Sequence, residues 1–257
     1  MNVDVVSKLL ERFARRHRTT FSQISSRQSM QLELGAVIGV QEHYRAGGFD
    51  IQITNPHGSS QFVVKTNAKG APWNYSRICA VRGMHAVDIH MNLTVRGAHD
   101  DGIYCVDVGI TSPGSVPGGK GKSKWLCLEN KHLRSFAEVK RLVVYPMLLA
   151  QFVGIVHEIK PRFLRPPTRN GFGRGEHLPP TLIVLGHYSS NSGGIVRSYP
   201  KRNLQINVAE NFDVRVAWAR SEATRSPLYW DDDSGTPRID SKKAADALIA
   251  ELEGAEA

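Results

Sequence analysis

Apolar and polar residues alternate along Phe49–Thr54 (FDIQIT) and again through Ala86–Val95 (AVDIHMNLTV). Strand side chains point to opposite faces in turn, so each run reads as a half-buried strand. Asn55-Pro56-His57-Gly58 reads as a turn and Gln61–Thr66 as the strand that returns from it. Ile78–Arg96 holds one or two further strands, and Ala98–Gly102 (AHDDG) is a turn. Tyr104–Ile110 (YCVDVGI) and Trp125–Leu133 (WLCLENKHL) are two more strands, joined by the Gly-, Pro-, Ser- and Lys-rich loop Thr111–Ser123.

Helical spacing appears elsewhere. Residues 1–18 pattern as an amphipathic basic helix, and Phe21–Arg45 is helix-compatible, with apolar Leu32, Leu34, Val37, Ile38 and Val40. Gly47-Gly48 ends it, because glycine accepts the left-handed conformation after a helix. Ser135 stands at capping-box spacing from Glu138, and Phe136, Val139, Leu142 and Val143 recur at helical intervals. This predicts a helix from 135 onward, kinked or restarted at Pro146 and buried over Met147–Ile159. Lys160–Pro180 is a basic loop, and Thr181–Gly186 (TLIVLG) a buried strand. Leu204–Val208 and Val214–Trp218 are further strands, and Ser241–Gly254 a helix. The expected architecture is α/β, a mixed, mainly antiparallel central sheet flanked by helices. Residues 1–20 form an arm, 21–220 the main domain, and 221–257 a polar tail with a short helix.

Composition narrows the class. The chain has 257 residues, 41% of them apolar, and no run approaches the roughly 18 apolar residues of a membrane span. The N-terminus lacks an apolar run followed by a small-residue cleavage site, so no signal peptide is expected. Cys79, Cys105 and Cys127 show no CxxC spacing and read as reduced core residues of a cytoplasmic protein. The net charge is +9, which favours a polyanionic partner, since neutralising phosphates releases counterions. The basic clusters supply the candidate backbone contacts: Arg15, Arg16 and Arg18 in the arm; Lys120, Lys122 and Lys124 in the central loop; and Arg165, Arg169 and Arg174 beyond.

Alternation puts Asp107 on one face of its strand and Glu129 with Lys131 on one face of the next. If the two pair as a hairpin, Asp107 lies diagonally close to Glu129, at roughly 5–8 Å. Two such carboxylates suit a hard cation such as Mg²⁺, with the Asn130 carbonyl as a further oxygen. Lys131 then activates water or stabilises transition-state charge. Asp88, also in a strand, is the alternative acid.

With Asp107 as the acid and Glu129-Asn130-Lys131 as a (D/E)xK element, the segment from about Met30 to Ile183 resembles the PD-(D/E)xK nuclease superfamily. The resemblance departs from the motif at Val106, where proline is usual. It implies a restriction-endonuclease-like core: a helix, a strand meander carrying the acid and the ExK, a helix, and a further strand. It also implies a helical glutamate near the metal, here Glu33 with Glu42 second, and metal-dependent cleavage of DNA or, less often, RNA, in restriction, repair, recombination or phage defence. Mg²⁺ is the implied cofactor, with Mn²⁺ able to substitute.

Competing patterns are weaker. His85, Asp88 and His90 include the DxH that opens a metallophosphoesterase pattern, but its later GNH is absent. His157-Glu158 is not HExxH, no GxSxG occurs, and Gly171–Gly175 resembles a phosphate loop in composition alone. Trp73, Tyr75, Phe172 and Tyr188 carry no assignment, and His132 reads as structural. The expected function is a Mg²⁺-dependent endonuclease acting on DNA in preference to RNA, with no membrane partner. A single site cuts one strand, so double-strand cleavage calls for a homodimer or two events. The alternatives are a catalytically silent nucleic-acid-binding subunit of a larger complex and an α/β interaction protein whose charge is incidental.

Overall fold

The structure is a computed structural model and describes residues 3–17, 28–116, 127–165 and 178–210. The described helices are α1 (Val3–His17), α2 (Gln28–Ala46), α3 (Pro146–Ile159) and α4 (Ser190–Ser198). The strands are β1 (Asp50–Thr54), β2 (Arg77–Arg82), β3 (His85–Arg96), β4 (Ile103–Thr111), β5 (Leu133–Lys140), β6 (Thr181–Val184) and β7 (Asn207–Ala209). They form one seven-stranded sheet in chain order. β1 to β5 are an antiparallel meander, whereas β5, β6 and β7 run parallel, with α3 and α4 as the crossovers. The chain is therefore α/β with a mixed, mostly antiparallel sheet.

Burial explains the layering. Leu34, Ala36, Val37, Ile38 and Val40 of α2 pack against Ile78, Val87, Ile89, Val108 and Ile110 on one side of the sheet, with α1 adding Leu10 and Phe13. Leu148, Leu149, Phe152 and Val156 of α3 pack with Leu93, Val106, Phe136 and Leu182 in a second cluster. Gly83 and Met84 turn β2 into β3, with Arg82 facing His85. Gly83 takes φ +56° there, and a two-residue hairpin needs positive φ at that point.

Three sequence expectations are corrected. The predicted helix from Ser135 is strand β5. It is central, bonded to β4 and β6, and buried on both faces; buried Ser135 and Glu138 fall on opposite faces, so LRSFAEVK carries no clean period-2 signature. Of the two readings of Pro146, the restart holds: it opens α3, where its missing N–H costs nothing. Trp125–Leu133 is not a strand of a β4 hairpin: Trp125 and Leu126 lie outside the described residues, Leu128 makes one isolated bridge to Val95, and Asn130–His132 is a 3-10 turn. Gln61–Thr66 is a docked loop, not a return strand: the Phe62 amide bonds to the His17 carbonyl at 3.1 Å and the Val63 amide to Ser76 Oγ at 2.8 Å. β1 pairs instead with β2.

The expectation of three core cysteines is also corrected. Cys127 is buried, Cys79 half-buried and Cys105 exposed, and all three are free thiols. No described helix is long and apolar enough to cross a membrane. The expected strand at Val214–Trp218 and helix at Ser241–Gly254 lie outside the described residues.

Candidate active site where the central strands part

The β4–β5 ladder runs to Val108↔Ala137 and stops. The next residue on each strand is a carboxylate, Asp107 on β4 and Glu138 on β5. Asp107 is skipped on its other side as well, because the β3–β4 register steps from Met91↔Val108 to Leu93↔Val106. Asn92, the residue passed over on β3, takes φ +50°, a conformation that asparagine tolerates better than most residues. The site thus sits at a split in the sheet, where backbone groups that would have formed a ladder turn to side chains.

Asp107 Oδ2 accepts the Val139 backbone N–H at 2.7 Å and lies 3.5 Å from Lys140 Nζ. Lys140 Nζ also donates to Glu138 Oε2 at 2.9 Å. Glu138 and Lys140 are two residues apart on β5 and so share a face. Burial, then the neighbouring Asp107 charge, push the Glu138 carboxyl up to about 7, against the opposing pull of Lys140. Burial opposes charge on Lys140, but Glu138 and then Asp107 more than offset it and hold the amine above its ordinary value.

Glu33 approaches from α2. Burial raises its carboxyl, an Asn92 hydrogen bond opposes the rise, and the charges of Asp107 and Lys140 both reach it. Asn92 Nδ2 donates to Glu33 Oε2 at 2.8 Å. Glu42, the other helical candidate, lies nine residues on, about two and a half turns, and so faces the other way. It accepts Gln41 Nε2 at 2.8 Å and pairs with Arg45.

The structure does not bring Glu129, Asn130 and Lys131 to Asp107. β2 pairs with β3 only as far as Ile78↔Ile89, which leaves the far half of β3 an open edge. Leu128 takes that edge, donating to Thr94 O at 2.8 Å and accepting from the Arg96 amide at 2.9 Å, on the side of β3 away from β4. Glu129 pairs there with Arg96 at 3.3 Å. Arg96 faces Ile103, about 14 Å along β4 from Asp107 at roughly 3.4 Å per residue. The Asn130 carbonyl, expected to ligate a metal, accepts Lys160 Nζ at 2.6 Å, while its amide ties Arg96 O and Ile159 O together. Lys131 is exposed on the 3-10 turn.

Asp88, the alternative acid, is buried elsewhere. Its Oδ2 accepts the Gly114 amide at 2.8 Å and faces Arg77 Nε at 3.3 Å. His90 is buried beside it, and burial lowers its imidazole to about 4. Of the basic candidates, Arg15 and Arg16 are exposed on α1, and Arg15 pairs with Glu11 at 3.3 Å. Arg165 is exposed after a short 3-10 turn. Arg18, Lys120, Lys122, Lys124, Arg169 and Arg174 lie outside the described residues.

Sequence reasoning missed Glu138, Lys140, Asn92 and Lys65. Glu138-Val139-Lys140 is one of three E-x-K triplets in the chain, with Glu129-Asn130-Lys131 and Glu158-Ile159-Lys160, and its apolar flanks, Phe136-Ala137 before and Val143-Val144 after, were the available signal for a central strand. Nothing local marked Asn92 or Lys65.

The assembled groups are two carboxylates bridged by an ammonium, with a third carboxylate close by. Among the described residues no group of three or more His, Cys, Asp or Glu side chains is arranged to hold a metal ion. No family model matches the chain, and neither a curated protein nor a solved structure matches it.

Proposed function

We propose that this chain is a metal-dependent nuclease hydrolysing phosphodiester bonds, in DNA in preference to RNA. The observation that carries the reading is the meeting of Asp107 with Glu138-x-Lys140 where β4 and β5 part. The order of elements supports it: a helix bearing Glu33, a meander bearing the acid and the E-x-K, a helix, and a strand parallel to the E-x-K strand. That is the order of a restriction-endonuclease-like core, with Glu138 and Lys140 in the roles first given to Glu129 and Lys131.

The donor chemistry fits Mg²⁺, with Mn²⁺ substituting. Both first donors are hard carboxylate oxygens, and Mg²⁺ is held by one or two carboxylates completed by water and phosphate. Glu138 keeps its proton to about 7 because a buried carboxylate beside Asp107 lacks enough positive charge, and a divalent cation supplies it. Asp107 and Glu138 would hold the ion, which when bound supplies Lewis acidity toward the phosphate. The Val139 amide fixes the Asp107 carboxylate. Lys140, held charged by the two acids, orients the attacking water or stabilises the charge that develops. Glu33 supports the ion or orients the lysine. Exposed Arg15 and Arg16 and the basic segments hold the phosphate backbone.

A second reading, a silent nucleic-acid-binding subunit, draws on the same salt link, since Lys140 already joins both carboxylates. The two separate on metal. Under the first, supercoiled plasmid is nicked with Mg²⁺ or Mn²⁺, and EDTA or Glu138→Ala abolishes nicking. Under the second, binding is salt-sensitive and no condition cuts.

A further inference from the structure

Asn92 and Lys65 lock each other. Lys65 Nζ donates to the Asn92 carbonyl at 2.7 Å, and Asn92 Nδ2 donates back to the Lys65 carbonyl at 2.9 Å. Lys65 Nζ also donates to Asn67 O at 2.6 Å and lies over the Tyr75 ring. Both residues are buried, Lys65 to 3% exposure and Asn92 to 6%. An amide nitrogen has two hydrogens, and both are committed here: one to Lys65 O, the other to Glu33 Oε2 at 2.8 Å. Fixing the first bond therefore aims the second. The Lys65 carbonyl oxygen has no proton to give, so the nitrogen of the amide must face it.

The backbone follows the same logic. The positive φ of Asn92 takes it out of the β3–β4 register opposite Asp107. A carbonyl turned out of a ladder and buried needs another donor, and Lys65 provides it.

We propose that Asn92 is a positioning residue: its amide, clamped by Lys65 and aimed by its own left-handed backbone, sets the orientation of Glu33 toward Asp107. The inference rests on the reading of this site as a nuclease centre, but the clamp itself is testable without cleavage. Asn92→Gly keeps the positive φ at no steric cost and removes only the amide. Asn92→Asp keeps the shape and sets a carboxylate against Glu33.

Side-chain amide NMR of the full metal-free chain reads the geometry. The two Asn92 amide protons should exchange slowly in the wild type, and Glu33→Ala should release one of them. Fast exchange of both in the wild type, or no response to Glu33→Ala, overturns the proposal. A double-mutant cycle on plasmid nicking reads the consequence. Asn92→Gly and Asn92→Asp should each cost roughly tenfold to a hundredfold, the cost of a small misplacement, and no further loss should follow in a Glu33→Gln background. Losses that simply multiply in that background overturn the positioning role. If the wild type cuts nothing while the amide responds to Glu33→Ala, the nuclease reading fails and the clamp stands.

Discussion

The Val139 amide donates to the Asp107 carboxylate at 2.7 Å, a bond from the backbone of β5 to a side chain of β4 one residue beyond the end of their ladder. It gives Asp107 a structural task beside any chemical one, and the two can be separated. Asp107→Asn keeps an oxygen acceptor and loses the charge; Asp107→Ala leaves a half-buried amide without a partner. The alanine protein should be less stable than the asparagine protein by about 1–3 kcal/mol, measured by urea unfolding, and both should fail to nick plasmid. Equal stability of the two would remove the structural task.

The Glu138 carboxyl fixes a pH dependence. Its folded value, about 7, stands above the ordinary 4.5, so between those values the folded chain holds a proton that the unfolded chain has released. Stability of the metal-free protein should therefore fall as pH rises through that window, by up to about 3 kcal/mol from this group. Glu138→Gln should flatten the fall, and Mg²⁺ should reverse it. Unfolding midpoints from pH 4.5 to 7.5 decide, and a profile identical in wild type and Glu138→Gln would contradict the assigned cause.

Gly109 is where β4 passes under Leu93. A Cβ at that position would stand 2.5 Å from one Leu93 methyl and 3.0 Å from its Cβ. Gly109→Ala should cost about 1–3 kcal/mol by overpacking, with Leu93→Ala restoring part of it. Additive losses in the double variant would show that the clash lies elsewhere.

Arg15 and Arg16 are exposed on α1. If α1 lies along a phosphate backbone, replacing both by Gln should lower the slope of log K against log salt by about 2, in anisotropy titrations on duplex DNA. An unchanged slope would place the contact elsewhere.

How much of this was legible in the chain follows from burial. Alternation marks β1 and β3, because each shows polar residues at every second position. β4 carries Asp107 in such a run, and α2 and β6 stand out as apolar segments between turn residues. β5 did not read as a strand, because polar residues stand on both of its covered faces (Ser135 on one, Glu138 on the other) and LRSFAEVK shows no clean alternation. Its Glu138 was then open to reading as a helix cap. Glu129 and Lys131 drew the motif because Trp125–Leu133 reads as a strand, which puts them on one face, yet the 3-10 turn at Asn130–His132 breaks that parity argument. Asn92 and Lys65 meet across a loop and a strand, a contact that no local pattern records.

On the proposed nuclease reading, Lys140 and not Lys131 is the catalytic lysine. The most direct measurement compares nicking of supercoiled plasmid in Mg²⁺ by Lys140→Ala and Lys131→Ala, each checked for folding by its unfolding midpoint. Lys140→Ala should lose about a hundredfold or more, the scale for removing one electrostatic donor, while Lys131→Ala stays near the wild type. Full activity in Lys140→Ala, or loss confined to Lys131→Ala, would contradict the account.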